Sequence, residues 1–432
     1  MVPPMIHNNK NDSDKNNIAT DFITDLPGPI VHEYTTNRRP FVATWSLGSA
    51  PGVADFHRAL QPLAIPFIEA ADAIDVTYRP HGGSHWQLLH LWERQPSPNG
   101  QRGGDDDDHD DNPKTSTPND TPQPQPQPQQ HYNHALVGYL TVWTVTSPLH
   151  RPVGGRIWRV TQALILPPYQ RCGHGRELLR LVYTLAHQEN EKWKNATTTK
   201  SIPTKNGSQP SLSLSASASS VDATQLTSSR SSDHHPSSLY PIVQINVEDP
   251  AEGFEALRNA VDYRYICDTP EFRSPLDQLL LQGTTATKVT PEALETYRTV
   301  AAASLLTEKQ VHIVHEILQW ESLLSYKTTS SSSNQQPPPP AATTTTSNKE
   351  RSEERAFRWR VKARLYQEHK AAIVASSSSG EEEEDDDPSA VVAVSDDEAK
   401  QAMQATLEAL YQDQLQQYTQ IVKKKKKKKN QQ

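Results

Sequence analysis

The stretch LILPPYQRCGHGRELL, Leu164 to Leu179, passes from strand-like to helix-like residues across a turn that holds two prolines and two glycines. Upstream, Val160, Gln162, Leu164 and Leu166 occupy alternating sites between Arg156 and Leu166, the period of a strand. Downstream, Leu178, Val182 and Leu185 repeat at helical spacing. Gly173 and Gly175 let backbone N–H groups converge on an anion, and a helix N-terminus adds its dipole. The ligand such a turn expects carries phosphate. A Walker loop is excluded because no Gly-Lys-Ser/Thr follows, and a Rossmann loop needs a third glycine. Taken alone, a Gly-x-Gly here fits an ordinary strand-to-helix turn at least as well.

On either side of this turn the pattern continues. Val53, Phe56, Leu60, Leu63 and Phe67 mark one helical face between Val53 and Ile74, with Pro62 and Pro66 placed to kink or divide it. Strands are expected from His85 to Trp92, over ALVGYLTVWTV (Ala135 to Val145), and in LYPIVQINV, where Val243, Ile245 and Val247 share a face. The last of these ends at Glu248-Asp249-Pro250, and a helix runs from Ala251 to about Ala260. Beyond it, Thr307 and Gln310 form a capping box, and Val311, Val314 and Leu318 a buried stripe. Two final helices are separated by low-complexity segments. Strand, glycine turn, helix, strand is the order of an α/β sheet with its ligand at the strand ends, here followed by a helical region.

Composition limits how much of the chain folds. Only 34% of the 432 residues are hydrophobic, and many of the 34 prolines sit among Ser, Thr, Gln and Asp. Such segments bury too little apolar surface to offset the entropy of ordering. Residues 1 to about 40 and inserts near 95–131 and 195–238 are therefore expected to be disordered, and low-complexity linkers are expected near 328–349 and 376–390. Net charge is −8, with acid concentrated in Asp105–Asp111 and Glu381–Asp387 and base in the seven lysines Lys423–Lys429. These runs read as solvated tails, and the lysines also suit a nuclear localisation signal or an acidic partner.

Two cysteines, Cys172 and Cys267, exclude a disulfide framework and a Cys-based zinc site. His85, His90, His234 and His235 lack supported ligand spacing, so no metal is expected. No apolar run approaches the ~20 residues that span a bilayer, and the N-terminus lacks the apolar core of a signal peptide. These features predict a soluble intracellular protein, with no membrane and no direct nucleic-acid partner.

Gln/Arg-x-x-Gly-x-Gly/Ala after a strand resembles the pyrophosphate loop of the acetyl-CoA-dependent N-acetyltransferase (GNAT) superfamily. The form here, QALILPPYQRCGHGRELL, resembles the catalytic subunit of type B histone acetyltransferase. FHRALQPLAIPFIEAADAID, GYLTVWTV and VQINVEDPAEGFEALRNAVD resemble the same family in the same order. The likeness spans about residues 41–424, interrupted by the inserts. It implies a GNAT-type twisted mixed sheet with flanking helices, holding acetyl-CoA between splayed strands. It divides the chain into a disordered 1–40, a remnant of the family's N-terminal domain at 41–76, an acetyltransferase core at 77–274, a helical region at 275–424 and a basic tail at 425–432.

The resemblance also implies roles. Ala163, Leu164 and Ile165 would present backbone groups to the pantetheine arm, and Gln170, Arg171, Cys172, Gly173, His174, Gly175 and Arg176 would wrap the pyrophosphate. Arg171 and Cys172 depart from the family's usual small or polar residues, which backbone binding tolerates. Glu248 matches the general base that frees a substrate lysine of its proton, and Asp249 and Glu69 match assisting acids. Taken alone, Glu-Asp-Pro at a strand end is more often a turn and helix cap. Trp143, Thr144 and Val145 fall where the family grips the histone tail. The expected partners are the tail of newly made histone H4 and a WD-repeat histone chaperone, in nucleus and cytoplasm. Another protein or a small amine as acceptor, or an inactive histone-binding scaffold, are the competing readings.

Overall fold

A computed structural model describes residues 26–68, 72–80, 84–96, 132–147, 154–200, 240–282, 289–332, 343–378 and 396–429. They form two compact units that divide after Glu248. In the first, a six-stranded sheet runs in sequence order: β1 (Ile30–Thr36), β2 (Arg39–Leu47), β3 (His85–Pro96), β4 (Tyr132–Ser147), β5 (Gly155–Ile165) and β6 (Ile242–Val247). The first four pairings are antiparallel and the last is parallel. A parallel neighbour needs a crossover, and α2 (His174–Lys200) lies in the connection between β5 and β6. This is the mixed α/β sheet expected from the sequence.

α1 (Val53–Ala64) packs Phe56, Leu60 and Ala64 against Val42, Trp92, Tyr139 and Leu164. The helical face expected to reach Ile74 stops earlier. Pro62 is accommodated inside the helix, but Pro66 has no N–H to offer the Pro62 carbonyl, and the chain turns. β1 falls in the stretch expected to be disordered. Its sequence, IVHEYTT, is half polar because it is an edge strand, and its structure comes from pairing with β2 and from Tyr34 stacking on Phe41 at 5.5 Å.

On β6 the buried residues are Ile242 and Ile245 rather than Val243, Ile245 and Val247. The register against β5 shifts at Val243, so one extra residue breaks the alternation. The expected inserts lie outside the described residues except at their edges, where β3 extends to Pro96 and α2 to Lys200.

The second unit is helical: α3 (Glu252–Asp268), α4 (Pro270–Leu281), α5 (Pro291–Ser304), α6 (Glu308–Ser332), α7 (Thr343–Ser378) and α8 (Asp396–Lys429). Half of the capping box forms, with the Gln310 N–H donating to Thr307 Oγ1 at 3.1 Å. Val311, Val314 and Leu318 are buried as the stripe requires. Beside them lies a polar network that hydropathy does not signal. The Arg364 guanidinium donates to both oxygens of buried Glu316 at 2.8 and 3.0 Å, and the Tyr418 hydroxyl donates to Glu316 at 2.6 Å. Burial alone would raise the Glu316 carboxyl, but Arg364, His312 and these bonds hold it below its ordinary value.

The lysine run, expected as a tail, is the last part of α8. Lys425 donates to Tyr263 Oη at 3.0 Å and to Glu321 at 3.3 Å, while Lys423, Lys424, Lys426 and Lys427 are exposed. No described helix is long and apolar enough to cross a membrane.

His57 on α1 and His90 on β3 are fully buried in the first unit, and their ring nitrogens have no hydrogen-bond partner among the described residues. Desolvation lowers His57 to about 4, and desolvation together with His57 lowers His90 to about 3. Both rings are neutral when folded, whereas the unfolded chain takes up protons near pH 6.5. Their contribution is therefore fully present above about pH 6.5 and is lost as pH falls toward 4 and 3, by about 1.4 kcal/mol per pH unit per histidine. Thermal melts should show the melting temperature falling from pH 7 to pH 5, with a shallower slope in His90→Leu. Parallel slopes would mean that other groups carry the acid sensitivity.

Candidate active site at the end of strands β5 and β6

The glycine turn begins with a short 3-10 turn, Pro167–Tyr169, and ends at the first residue of α2, His174. Gly173 has φ 94 and Arg171, not a glycine, has φ 62. A left-handed non-glycine residue persists only where its surroundings hold it. The Glu177 N–H reaches the Gly173 carbonyl at 3.2 Å, closing the first helical turn. The N–H groups of His174, Gly175 and Arg176 precede that bond and point out of the helix end, the arrangement that receives an anion.

Next to this turn the sheet comes apart. β5 pairs with β6 only as far as Val160 and Val247, followed by one bond from the Glu248 N–H to the Val160 carbonyl at 2.9 Å. β5 continues to Ile165 while still paired with β4 on its other side. The β4–β5 register shifts at Thr141–Val142, making Thr161 an extra residue, and Thr141 and Thr161 share a hydroxyl bond of 2.7 Å. The N–H of Leu166 bonds the Val137 carbonyl on β4. By strand alternation, the backbone groups of Ala163 and Ile165 then face the side that β6 has left. Among the described residues no strand covers that edge. Gln170 folds back on it, its Nε2 donating to the Ile165 carbonyl at 2.9 Å.

Gly138 on β4 faces this opening strand closely. A Cβ there would lie 2.2 Å from the Leu164 carbonyl oxygen. Only glycine lets β4 approach β5 at this level.

At the end of β6, the exposed Glu248 carboxylate accepts from Arg159 Nη1 at 3.1 Å. Arg159 lies opposite Trp143 in the β4–β5 register. The Trp143 ring is 4.7 Å from Trp86 and stacks on Tyr78 at 6.3 Å, both distances between centroids. A carboxylate, a guanidinium and three aromatic rings thus share one region of the first unit. Asp249, with φ 35, opens the second unit, where Pro250 lacks an N–H for any further ladder.

The residues named from sequence fall into distinct places. Ala163, Ile165, Gln170, Arg171, Cys172, Gly173, Gly175 and Arg176 line the open edge and turn, while the Leu164 side chain is in the core with Phe56 and Trp92. The His174 side chain turns inward, 2% exposed, with Nδ1 2.6 Å from Tyr34 Oη. Only its backbone is available to an anion. Trp143 and Val145 are half-buried, but Thr144 points to the other face, fully buried, with its hydroxyl 3.4 Å from Gln87 Oε1. Glu69 lies outside the described residues. No three His, Cys, Asp or Glu side chains converge to hold a metal ion among the described residues.

Sequence reasoning missed Arg159 at the carboxylate, Tyr78 and Trp86 against Trp143, and Tyr34, Arg39 and Glu93 behind the turn. The one available signal was Arg159, a charge on the face of β5 opposite its buried residues.

The fold and site define an α/β protein with a helix N-terminus at a glycine turn, beside a strand left unpaired on one side. Part of the chain is similar to histone acetyltransferase type B catalytic subunits. The protein of that name from Cryptococcus neoformans var. neoformans serotype D (strain JEC21) is 21% identical over 236 residues, 55% of this chain and 35% of that protein. A second strain, B-3501A, gives the same figures. The Dictyostelium discoideum protein is 27% identical over 139 residues, 32% of this chain and 18% of that protein. The chain thus matches about a third or less of the length of these curated relatives. No protein-family profile matches the chain.

The close approach at Gly138 gives a direct test of how the site is built. Gly138→Ala should push β4 from β5 beside the turn and destabilise the first unit by about 1–3 kcal/mol, read by denaturant unfolding. A loss below about 0.5 kcal/mol, the range of an ordinary surface change, would show that the strands do not need this contact.

Proposed function

We propose that the chain is a histone lysine N-acetyltransferase of type B, moving acetyl from acetyl-CoA to tail lysines of free histone H4. One observation carries the reading. The unpaired edge of β5, the glycine turn and the Glu248 carboxylate are adjacent on consecutive strands. An extended amide arm suits the backbone groups of Ala163 and Ile165, as a strand would, and a pyrophosphate suits the N–H groups from Gly173 to Arg176. The donor set fits acetyl-CoA, which supplies the activated thioester carbonyl. The sequence likeness to type B catalytic subunits supports the same assignment.

This chain's own residues bind the acceptor and move its proton. A lysine ammonium, with an ordinary pKa near 10.4, must lose a proton before its nitrogen attacks. Glu248 is the acceptor of that proton, directly or through water. Arg159 pairs with it, and both members of that pair are well exposed. Exposed pairs contribute little, so an arriving ammonium exchanges with the guanidinium at small cost. Trp143, with Trp86 and Tyr78 beside it, offers ring faces to the lysine stem and its charge. Asp249 and Glu69 take the assisting role the resemblance gives them. We place the protein in nucleus and cytoplasm with a WD-repeat histone chaperone.

Glu248→Gln keeps the shape and removes the proton acceptor. Turnover on free H4 should fall by about 10²–10⁴ while calorimetric affinity for acetyl-CoA stays unchanged. A loss of only a few-fold would give the base role to another group. Free H4 should be acetylated faster than nucleosomes, because the net charge of −8 disfavours DNA. Equal rates would remove the free-histone preference, and faster turnover of a small polyamine would move the acceptor class from protein to small amine.

A further inference from the structure

The exposed part of the glycine turn, Gln170 to Gly173, lies between two anchors that together reach the first three strands. Upstream, the Tyr169 hydroxyl donates to Glu93 Oε2 at 2.9 Å. Glu93 on β3 is in turn gripped by two nitrogens of Arg39 on β2, whose guanidinium lies 5.5 Å from the Tyr169 ring centroid. Downstream, His174 Nδ1 is 2.6 Å from Tyr34 Oη on β1, and its ring is 4.5 Å from that of Phe41 on β2. His32 on β1 meets Glu177 on the first turn of α2 at 3.0 Å.

We propose that His174 is a positioning residue which, through Tyr34, holds the glycine turn in the geometry that receives pyrophosphate. This rests on the reading of that turn as the acetyl-CoA loop. His174 sits at the first position of α2, so its backbone belongs to the anion-receiving end while its side chain is fixed in the sheet edge. His174, together with the His32–Glu177 pair, therefore ties the start of α2 to β1 and β2.

Arg171 at φ 62 and Gly173 at φ 94 lie between the anchors. A released turn would relax from those conformations and scatter the N–H groups they aim. The ring is held neutral, because burial and then Arg39 push the imidazole below its usual value against the opposing pull of Glu93. A neutral ring makes one bond with Tyr34 and packs without a buried charge.

The test measures acetyl-CoA affinity of the full chain by calorimetry, so it does not depend on turnover. His174→Phe keeps an aromatic ring and removes the bond to Tyr34. Tyr34→Phe removes it from the other side. Each should weaken acetyl-CoA binding about ten-fold, the equivalent of one buried hydrogen bond. The double variant should be no weaker than either single, since both remove the same bond. His174→Gln, whose amide still bonds Tyr34, should return affinity to within about two-fold of wild type.

Gly175→Asp, which sets a carboxylate against the anion, separates the two layers of the argument. If it abolishes binding while His174→Phe and Tyr34→Phe bind normally, the positioning role is overturned and the loop assignment stands. If Gly175→Asp binds like wild type, the loop assignment falls and the proposal with it. Should His174→Phe not fold, Tyr34→Phe alone decides, and unchanged affinity there overturns the proposal.

Discussion

The first unit depends on one asymmetry. β5 has two partners up to Val160 and one from Gln162 to Ile165. A strand with an unpaired interior edge carries backbone donors and acceptors that must find partners elsewhere. Here the edge is not capped by a further strand among the described residues, and Gln170 satisfies only the Ile165 carbonyl. What remains has the shape of a missing strand, which an extended arm carrying amide groups would complete. The binding reading follows from backbone hydrogen-bond accounting before any side chain is considered.

Keeping that edge open requires β6 to be firmly paired and then to leave. Its start is fastened by α2: Asn190 accepts the Ile242 N–H at 2.6 Å and donates to the Ile242 carbonyl at 2.7 Å. Buried Arg156 donates to the Tyr240 carbonyl at 2.7 Å and pairs with Glu189 at 2.8 Å. Its end is set by Asp249 at φ 35 and by Pro250, which cannot continue a ladder. The carboxylate at the departure point is aimed by a strand clamped along its length. The same helix that clamps β6 begins at the glycine turn, so one element controls both sides of the opening.

The sequence made the scaffold legible and hid its fasteners. Strand alternation in β5, helical spacing in α2 and the stripe on α6 are periodic signals from apolar residues facing one core. They were visible, and so was the turn joining them. Two failures share a cause. β1 lies in a stretch whose composition reads as disordered, because an edge strand is half polar, and the face of β6 departs from simple alternation because the extra residue Val243 has no compositional mark. Neither pairing register nor a bulge is encoded locally. In the site, Glu248 and the glycine turn were named through family likeness. Arg159, Tyr34, Arg39 and Glu93 were not, because each acts through a neighbour distant in sequence. Thr144 differs from Trp143 and Val145 for a related reason: a strand turns successive side chains to opposite faces, and the Thr144 side chain lies on the buried one.

The polar groups that pattern reading passes over divide into two kinds with different consequences. Glu316, Arg364 and Tyr418 form a closed set in which each charge is matched, so burial is offset by direct bonds. His57 and His90 are open: buried, uncharged and without partners for their ring nitrogens among the described residues. Matched groups join three helices of the second unit. Unmatched ones sit where α1 meets the sheet, against the cluster that also holds Leu164 of the open strand. Such residues cost stability for no compensating bond, and apolar residues of similar size would serve the packing better. The α1 contact therefore weakens most when the solvent can protonate it. Leu164 anchors the strand with the open edge, so the polar weakness lies directly behind that edge rather than at a remote surface.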